Sequence, residues 1–168
     1  MKASANNRPQ KLRRSSSGFT LIELMVTIAV LAIIVGIAAP NISTQLANQR
    51  VKSTASTLEN ALKEAKAESI IRRQNVTVAY SSVLNTIAIT GRNNTVIATY
   101  NINSQSTVSQ VITPATVTQV VFQPNKMVSG AGTEVVYTIC DDGSTNETPK
   151  QVTVNKIANI SVTNTGSC

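Results

Sequence analysis

The stretch RRSSSGFTLIELMVTIAVLAIIVGIAAPN occupies residues 13–41. From residue 19 to residue 39 it is an almost unbroken apolar run, long enough to rise about 31 Å as a helix against a hydrocarbon core of roughly 30 Å. Glu23 interrupts it five residues in. A carboxylate within a bilayer costs on the order of 3 kcal/mol unless something compensates it. Glu23 therefore asks for a partner, and the segment before it is short, basic and rich in serine.

That leader carries most of the charge. The chain has 168 residues and a net charge of +7, with no His, no Trp and two Cys. Lys2, Arg8, Lys11, Arg13 and Arg14 are five of the fifteen basic residues, and no acid precedes Glu23. Beyond Gly18 ten basic residues face eight acidic ones, a net charge of +2. The reading as a strongly basic nucleic-acid protein loses most of its support there. The length allows one ordinary domain plus an anchor.

The leader departs from a secretory signal in its order. In such a signal the small-residue cleavage site follows the apolar stretch. Here Ser15, Ser16, Ser17 and Gly18 precede it. Cleavage at that junction leaves the apolar helix on the mature chain. The positive leader stays on the cytoplasmic side, which places everything after Pro40 across the membrane.

These residues resemble the prepilin family, the type IV pilins and the pseudopilins of type II secretion. The matching elements are the basic leader ending in Gly18, then Phe19, then Glu23 as the fifth mature residue, and the apolar run ending at Pro40. The resemblance implies that a prepilin peptidase cuts after Gly18 and N-methylates Phe19. It also gives Glu23 a role. After cleavage Phe19 begins the chain with an ammonium group, and a neighbouring helix displaced by about a turn brings its Glu23 to that amine. Two buried charges cost far less paired than apart. Glu23 would set the stagger between subunits, as a buried polar group sets register in a coiled coil.

Gly36 and Pro40 are expected to interrupt the helix by bending or local melting. Beyond them, 42–73 reads as an amphipathic helix. Val51, Ala55, Leu58, Leu62 and Ala65 form one apolar stripe at helical spacing, and Glu59 and Lys63 form an i,i+4 pair away from it. After Arg73 the texture changes. NVTVAY (75–80), NTIAIT (85–90), TVIATYNI (95–102), VTQVVFQ (117–123), EVVYTIC (134–140), KQVTVN (150–155) and NISVT (159–163) alternate and are rich in Val, Ile and Thr. They read as about seven strands, antiparallel by their short connections. The polar segment 103–118 is left between a loop and an edge hairpin.

The expected fold class is α+β: a long N-terminal helix, half transmembrane and half amphipathic, packed on an antiparallel β-sheet domain. Its divisions are a removable leader (1–18), an assembly helix (19–41), an amphipathic helix (42–73) and a periplasmic β-rich domain (74–168). One helix followed by strands resembles the GspH/FimT branch of minor pilins and pseudopilins, as does ICDDGSTNE (139–147) before two closing strands. Within it, the final Cys168 resembles the FimU-type minor pilins of the type IVa pilus. Cys140 and Cys168 are the only cysteines, in a domain expected outside the cytoplasm, so a disulfide is the default.

Without histidine there is no Ser-His or Cys-His catalytic arrangement, and no catalytic residue, resident metal or cofactor is expected. Asp141, Asp142 and Glu147 offer oxygen ligands in a turn without the spacing of a calcium loop. FimT-type relatives bind DNA, and resemble one another in a Gly-Arg-x-Arg motif between the last strands. The matching stretch here, Ala158-Asn159-Ile160-Ser161, has neither arginine. Lys150 and Lys156 remain nearby as a weak phosphate-binding pair, and aromatics for base stacking make up only 3% of the chain.

The first reading is thus an inner-membrane-anchored minor pilin of a type IV pilus. It would serve in a priming or tip complex with other minor and major pilins, supporting assembly, twitching motility and DNA uptake. The alternatives are a DNA-binding competence pilin and a minor pseudopilin of type II secretion. The pilus and secretion readings share every motif.

Overall fold

Apolar residues at intervals of three and four carry the helix into its domain. In the computed structural model, which describes residues 18–117, 119–130, 132–166 and 168 but not the side chains of 38–41, helix α1 spans Leu21–Ile71. The leader, residues 1–17, lies outside the described residues. The chain divides into two units between Ala39 and Pro40, and each is described separately.

In the first unit every described side chain from Gly18 to Ile37 is exposed. In the second, Val51, Ala55, Leu58, Leu62 and Ala65 are fully buried, joined by Ala47 and Ala61. The apolar stripe is therefore a face packed on the chain's own domain. Small alanines alternate with Leu58 and Leu62, which lets the helix approach the strands closely while the leucines fill the gaps between them. The outward face carries the Glu59–Lys63 pair at 2.6 Å and an Arg72–Glu68 pair. Gly36 and Pro40 do not end the helix. The helical assignment passes through both, because proline removes only the single bond its own N–H would have made to the carbonyl four residues back.

The helix closes with a Schellman-type turn. The Arg73 amide bonds the Ile70 carbonyl at 3.3 Å and the Gln74 amide bonds the Ser69 carbonyl at 3.2 Å, with Arg73 in the left-handed region (φ 51°). Glycine usually holds that position. The chain then enters β1 (Val76–Ser81), followed by β2 (Thr86–Thr90), a 3₁₀ turn (Arg92–Asn94), β3 (Val96–Asn101), β4 (Ser106–Thr113), β5 (Val120–Phe122), β6 (Glu134–Asp141), β7 (Lys150–Val154) and β8 (Ile160–Asn164).

Among the described residues eight strands form two four-stranded sheets, ordered β3-β2-β1-β5 and β4-β6-β7-β8, with every pairing antiparallel. Strict alternation puts Val135, Tyr137 and Ile139 of β6 and Ile87 and Ile89 of β2 into the core. Val76 and Val78, Val120 and Phe122, and Val152 and Val154 complete it with the helix stripe.

The segment left open in the sequence is β4. It pairs with β6 over eight residues, from Ser106↔Asp141 to Thr113↔Glu134, and forms the edge of its sheet. Its polar composition follows from that place, since most of its side chains are at least partly exposed. The buried exception, Ser106, bonds the Thr54 hydroxyl on α1 at 2.9 Å, so the edge strand is tied to the helix by a satisfied polar contact.

Candidate functional site

The N-terminal unit begins with a helix start. Thr20 precedes α1, and its Oγ1 accepts a hydrogen bond from the Glu23 amide at 3.2 Å. Thr20-Leu21-Ile22-Glu23 has the T-x-x-E spacing of a capping box, with Thr20 as N-cap and Glu23 at N3. Sequence reasoning assigned Glu23 to assembly and missed this local role, although the spacing was legible. A carboxylate in the first turn also faces the positive end of the helix dipole. Among the described residues Glu23 makes no ion pair, so a cationic partner for it must come from elsewhere.

Phe19 is 82% exposed, and Leu21, Ile22, Leu24, Met25, Val26, Ile28 and Leu31 are exposed on all sides of the helix. A helix apolar all round has no stable face toward water and belongs in lipid or among other helices. Among the described residues no single helix is long and apolar enough to cross a membrane, whereas the segments Leu21–Ile37 and Ile42–Ile71 together have the length and composition for a span.

In the second unit Cys140 and Cys168 are joined in a disulfide, with Cα atoms 6.0 Å apart. The bridge ties the last residue to the end of β6. Beside it Asp141 is buried and takes a two-pronged ion pair from Arg50 of α1, whose Nη1 lies 2.8 and 3.0 Å from the two carboxylate oxygens. The Asn48 side chain accepts the Thr148 amide at 2.7 Å. One turn of the helix thus holds the loop after β6 at two points. Sequence reasoning read Asp141 as turn chemistry without the spacing of a calcium loop, and its carboxylate is committed to Arg50. Among the described residues no cluster of His, Cys, Asp or Glu is assembled to hold a metal. A cavity of about 560 Å³ beside the bridge is lined by Thr107, Ser109 and Thr138, by Asp141, Asp142 and Glu147, and by the bridged cysteines.

The two lysines offered as phosphate contacts are occupied. Lys156 donates to the Val128 carbonyl at 2.7 Å and also to the Gly130 carbonyl, fastening the loop before β6. Lys150 donates to the Asn164 side chain across the β7–β8 pair at 2.8 Å. The stretch from Ala158 to Ser161 joins β7 to β8. Ala158 is buried and its carbonyl accepts Lys66 Nζ at 2.8 Å. Both lysines therefore donate hydrogen bonds within the fold.

Three features now define the class: an exposed apolar N-terminal helix, its amphipathic continuation buried against antiparallel sheets, and a C-terminal disulfide. This is the architecture of a pilin-like protein. Residues 13–39 match the prokaryotic N-terminal methylation motif. Residues 54–158 match the family described as type II transport protein GspH, and the chain belongs to that family. No protein of curated function matches it in sequence.

Among solved structures, the type IV minor pilin FimU of Pseudomonas aeruginosa is similar with a TM-score of 0.53 at 16% identity, over 70% of this chain and 98% of that one. The minor pseudopilin EpsH from the type II secretion system of Vibrio cholerae is similar with a TM-score of 0.55 at 12% identity, over 70% and 99%. At such identities the likeness is one of fold. The chain is a minor pilin or pseudopilin, a structural and non-enzymatic protein of a type IV pilus or a type II secretion system. Its methylation motif implies processing by a prepilin peptidase, and its family implies assembly with other pilins. The N-terminal helix is consistent with anchoring in the inner membrane before assembly.

Proposed function

We propose that this chain is a minor pilin of a type IV pilus, cleaved after Gly18, methylated on Phe19 and built into the priming or tip complex of the filament. The observation that carries the reading is the N-terminal unit. Glu23 sits in the first turn of α1, whose described side chains from Leu21 to Ile37 are all exposed, with no cationic partner among the described residues. A neighbour's Phe19 ammonium, displaced by about one turn, satisfies that carboxylate and fixes the axial stagger of the two chains. Gly36 and Pro40 are the residues at which α1 is expected to bend.

A minor pseudopilin of type II secretion is the second reading, favoured by the GspH match and the likeness to EpsH. The C-terminal bridge between Cys140 and Cys168 favours the pilus, because a filament outside the cell meets forces that a pinned last strand resists. DNA binding through Lys150 and Lys156 is not favoured, since both ammonium groups are spent on the fold.

The test is Glu23→Ala in the full chain. Removing the charge leaves membrane insertion intact or improved, so cleavage and anchoring continue. Incorporation into sheared filaments is expected to fall at least severalfold. Incorporation equal to that of the parent contradicts the stagger mechanism.

A further inference from the structure

We infer that the end of the β-rich domain built by residues 71–75, 91–95 and 123–127 is a docking surface for an acidic face of another protein subunit. β1 lies between β2 and β5 in one sheet. The residues entering β1 are therefore flanked by the turn leaving β2 and the turn leaving β5. Thr77 pairs with Thr90, and Val76 pairs with Phe122. Adjacent strands are about 4.8 Å apart, so the three turns fall within about 10 Å along one edge.

Their sequences are IRRQN, GRNNT and QPNKM, four cations and no acid. Arg72 is paired with Glu68. Arg73, Arg92 and Lys126 are exposed and have no ion-pair partner among the described residues. Lysine and arginine elsewhere in the domain are largely committed: Arg50 to Asp141, Lys63 to Glu59, and Lys66, Lys150 and Lys156 to oxygen acceptors. Three free cations on one edge make a local positive field.

The backbone gives an independent reason to look here. Arg73 has φ 51° and Lys126 has φ 63°. Arg73 occupies the position after a helix that glycine favours. Lys126 occupies the left-handed position closing the β5 turn, where its amide bonds the Gln123 carbonyl at 3.1 Å and Gln123 bonds the Met127 carbonyl at 2.8 Å. Folding alone is served better by glycine at both places. Long cationic side chains held at strained positions point to a use for the charge.

The surroundings select the partner. Ile71 is 73% exposed beside Arg72, and Val96, 62% exposed, opens β3 directly after the Arg92 turn. Exposed apolar side chains adjoining arginines in the chain fit a protein interface with an apolar centre and a charged rim. None of the three turns contains an aromatic ring, so a nucleic acid finds no stacking platform. Carboxylates on the opposing subunit complement the three cations and steer its approach.

This inference rests on the pilin reading for the presence of neighbouring subunits. The experiment places a photoreactive benzoylphenylalanine at position 71 of the full chain in its own cells and maps the cross-linked peptide. It is repeated in Arg73→Gly/Arg92→Gln/Lys126→Gly, in which glycine relieves both strained positions and the fold is kept. The expected result is a protein adduct on a stretch with several Asp or Glu. Its yield falls about tenfold in the triple variant, at an unchanged melting temperature, and returns in Arg73→Lys/Arg92→Lys.

An adduct insensitive to the triple change, an adduct on a stretch without acids, or no protein adduct overturns the inference. So does retention of duplex DNA by the detergent-solubilised parent at about 0.15 M salt that the triple variant loses, which gives the surface to nucleic acid. Removal of residues 1–18 is read in the same samples. A processed chain without an adduct overturns this inference alone, and an unprocessed chain overturns the pilin reading and this inference with it.

Discussion

Glu23 shows how one residue serves two levels. Its amide closes the first turn of α1 through the Thr20 hydroxyl, a local role that any helix could use, while its carboxylate, without an ion pair among the described residues, is the group proposed to meet another chain. Asp141 is the converse. Its place in ICDDGSTNE suggested a turn or a metal, and nothing nearby in sequence announces Arg50, 91 residues away. Long-range pairings of this kind are set by how the elements pack and carry no local signature.

Tyr137 gives a residue-scale prediction. Burial raises its hydroxyl well above the ordinary tyrosine value near 10, so the folded chain holds it neutral where an unfolded chain would ionise. A raised folded pKa contributes stability that is complete below about pH 10 and is lost as pH rises beyond it. Stability is therefore expected to fall with alkalinity from about pH 10, with Tyr137 tyrosinate absorbance appearing only on unfolding. In Tyr137→Phe that part of the alkaline loss should vanish in pH-dependent melts. A tyrosine that titrates freely in the folded chain contradicts the burial argument.

At the scale of elements, α1 and most strands were legible because each has a one-sided pattern. The helix stripe through Val51, Leu58 and Leu62 is the buried face, and the alternation of EVVYTIC matches the burial of β6. β4 was not legible, since an edge strand with most of its side chains partly exposed has little alternation to show. The stripe makes a numerical prediction. Leu58 is wholly buried among both sheets' core residues, so Leu58→Ala is expected to lose about 2–5 kcal/mol in denaturant unfolding of the oxidised chain. A loss below 1 kcal/mol would mean that the helix face is less tightly packed than described.

At the scale of the whole molecule, the bridge between Cys140 and Cys168 spans 28 residues. Closing such a loop stabilises by roughly 3–4 kcal/mol in the chain-entropy account. Cys140→Ser or Cys168→Ser should lower stability by about that amount, measured against the oxidised parent, and increase amide exchange in β8. Labelling of the unreduced, denatured parent should find no free thiol. The disulfide was legible as a default from two cysteines in a domain expected outside the cytoplasm. The surface at residues 71–75, 91–95 and 123–127 was not, because only the sheet order brings its three turns together.

The central claim is that this chain is processed at Gly18 and assembled through Phe19 and Glu23. Its most direct test is the intact mass of the chain recovered from a sheared filament fraction of cells with a working prepilin peptidase. The account predicts a chain that lacks residues 1–18 and begins at N-methylated Phe19. A chain that retains residues 1–18 and stays in the membrane fraction contradicts it.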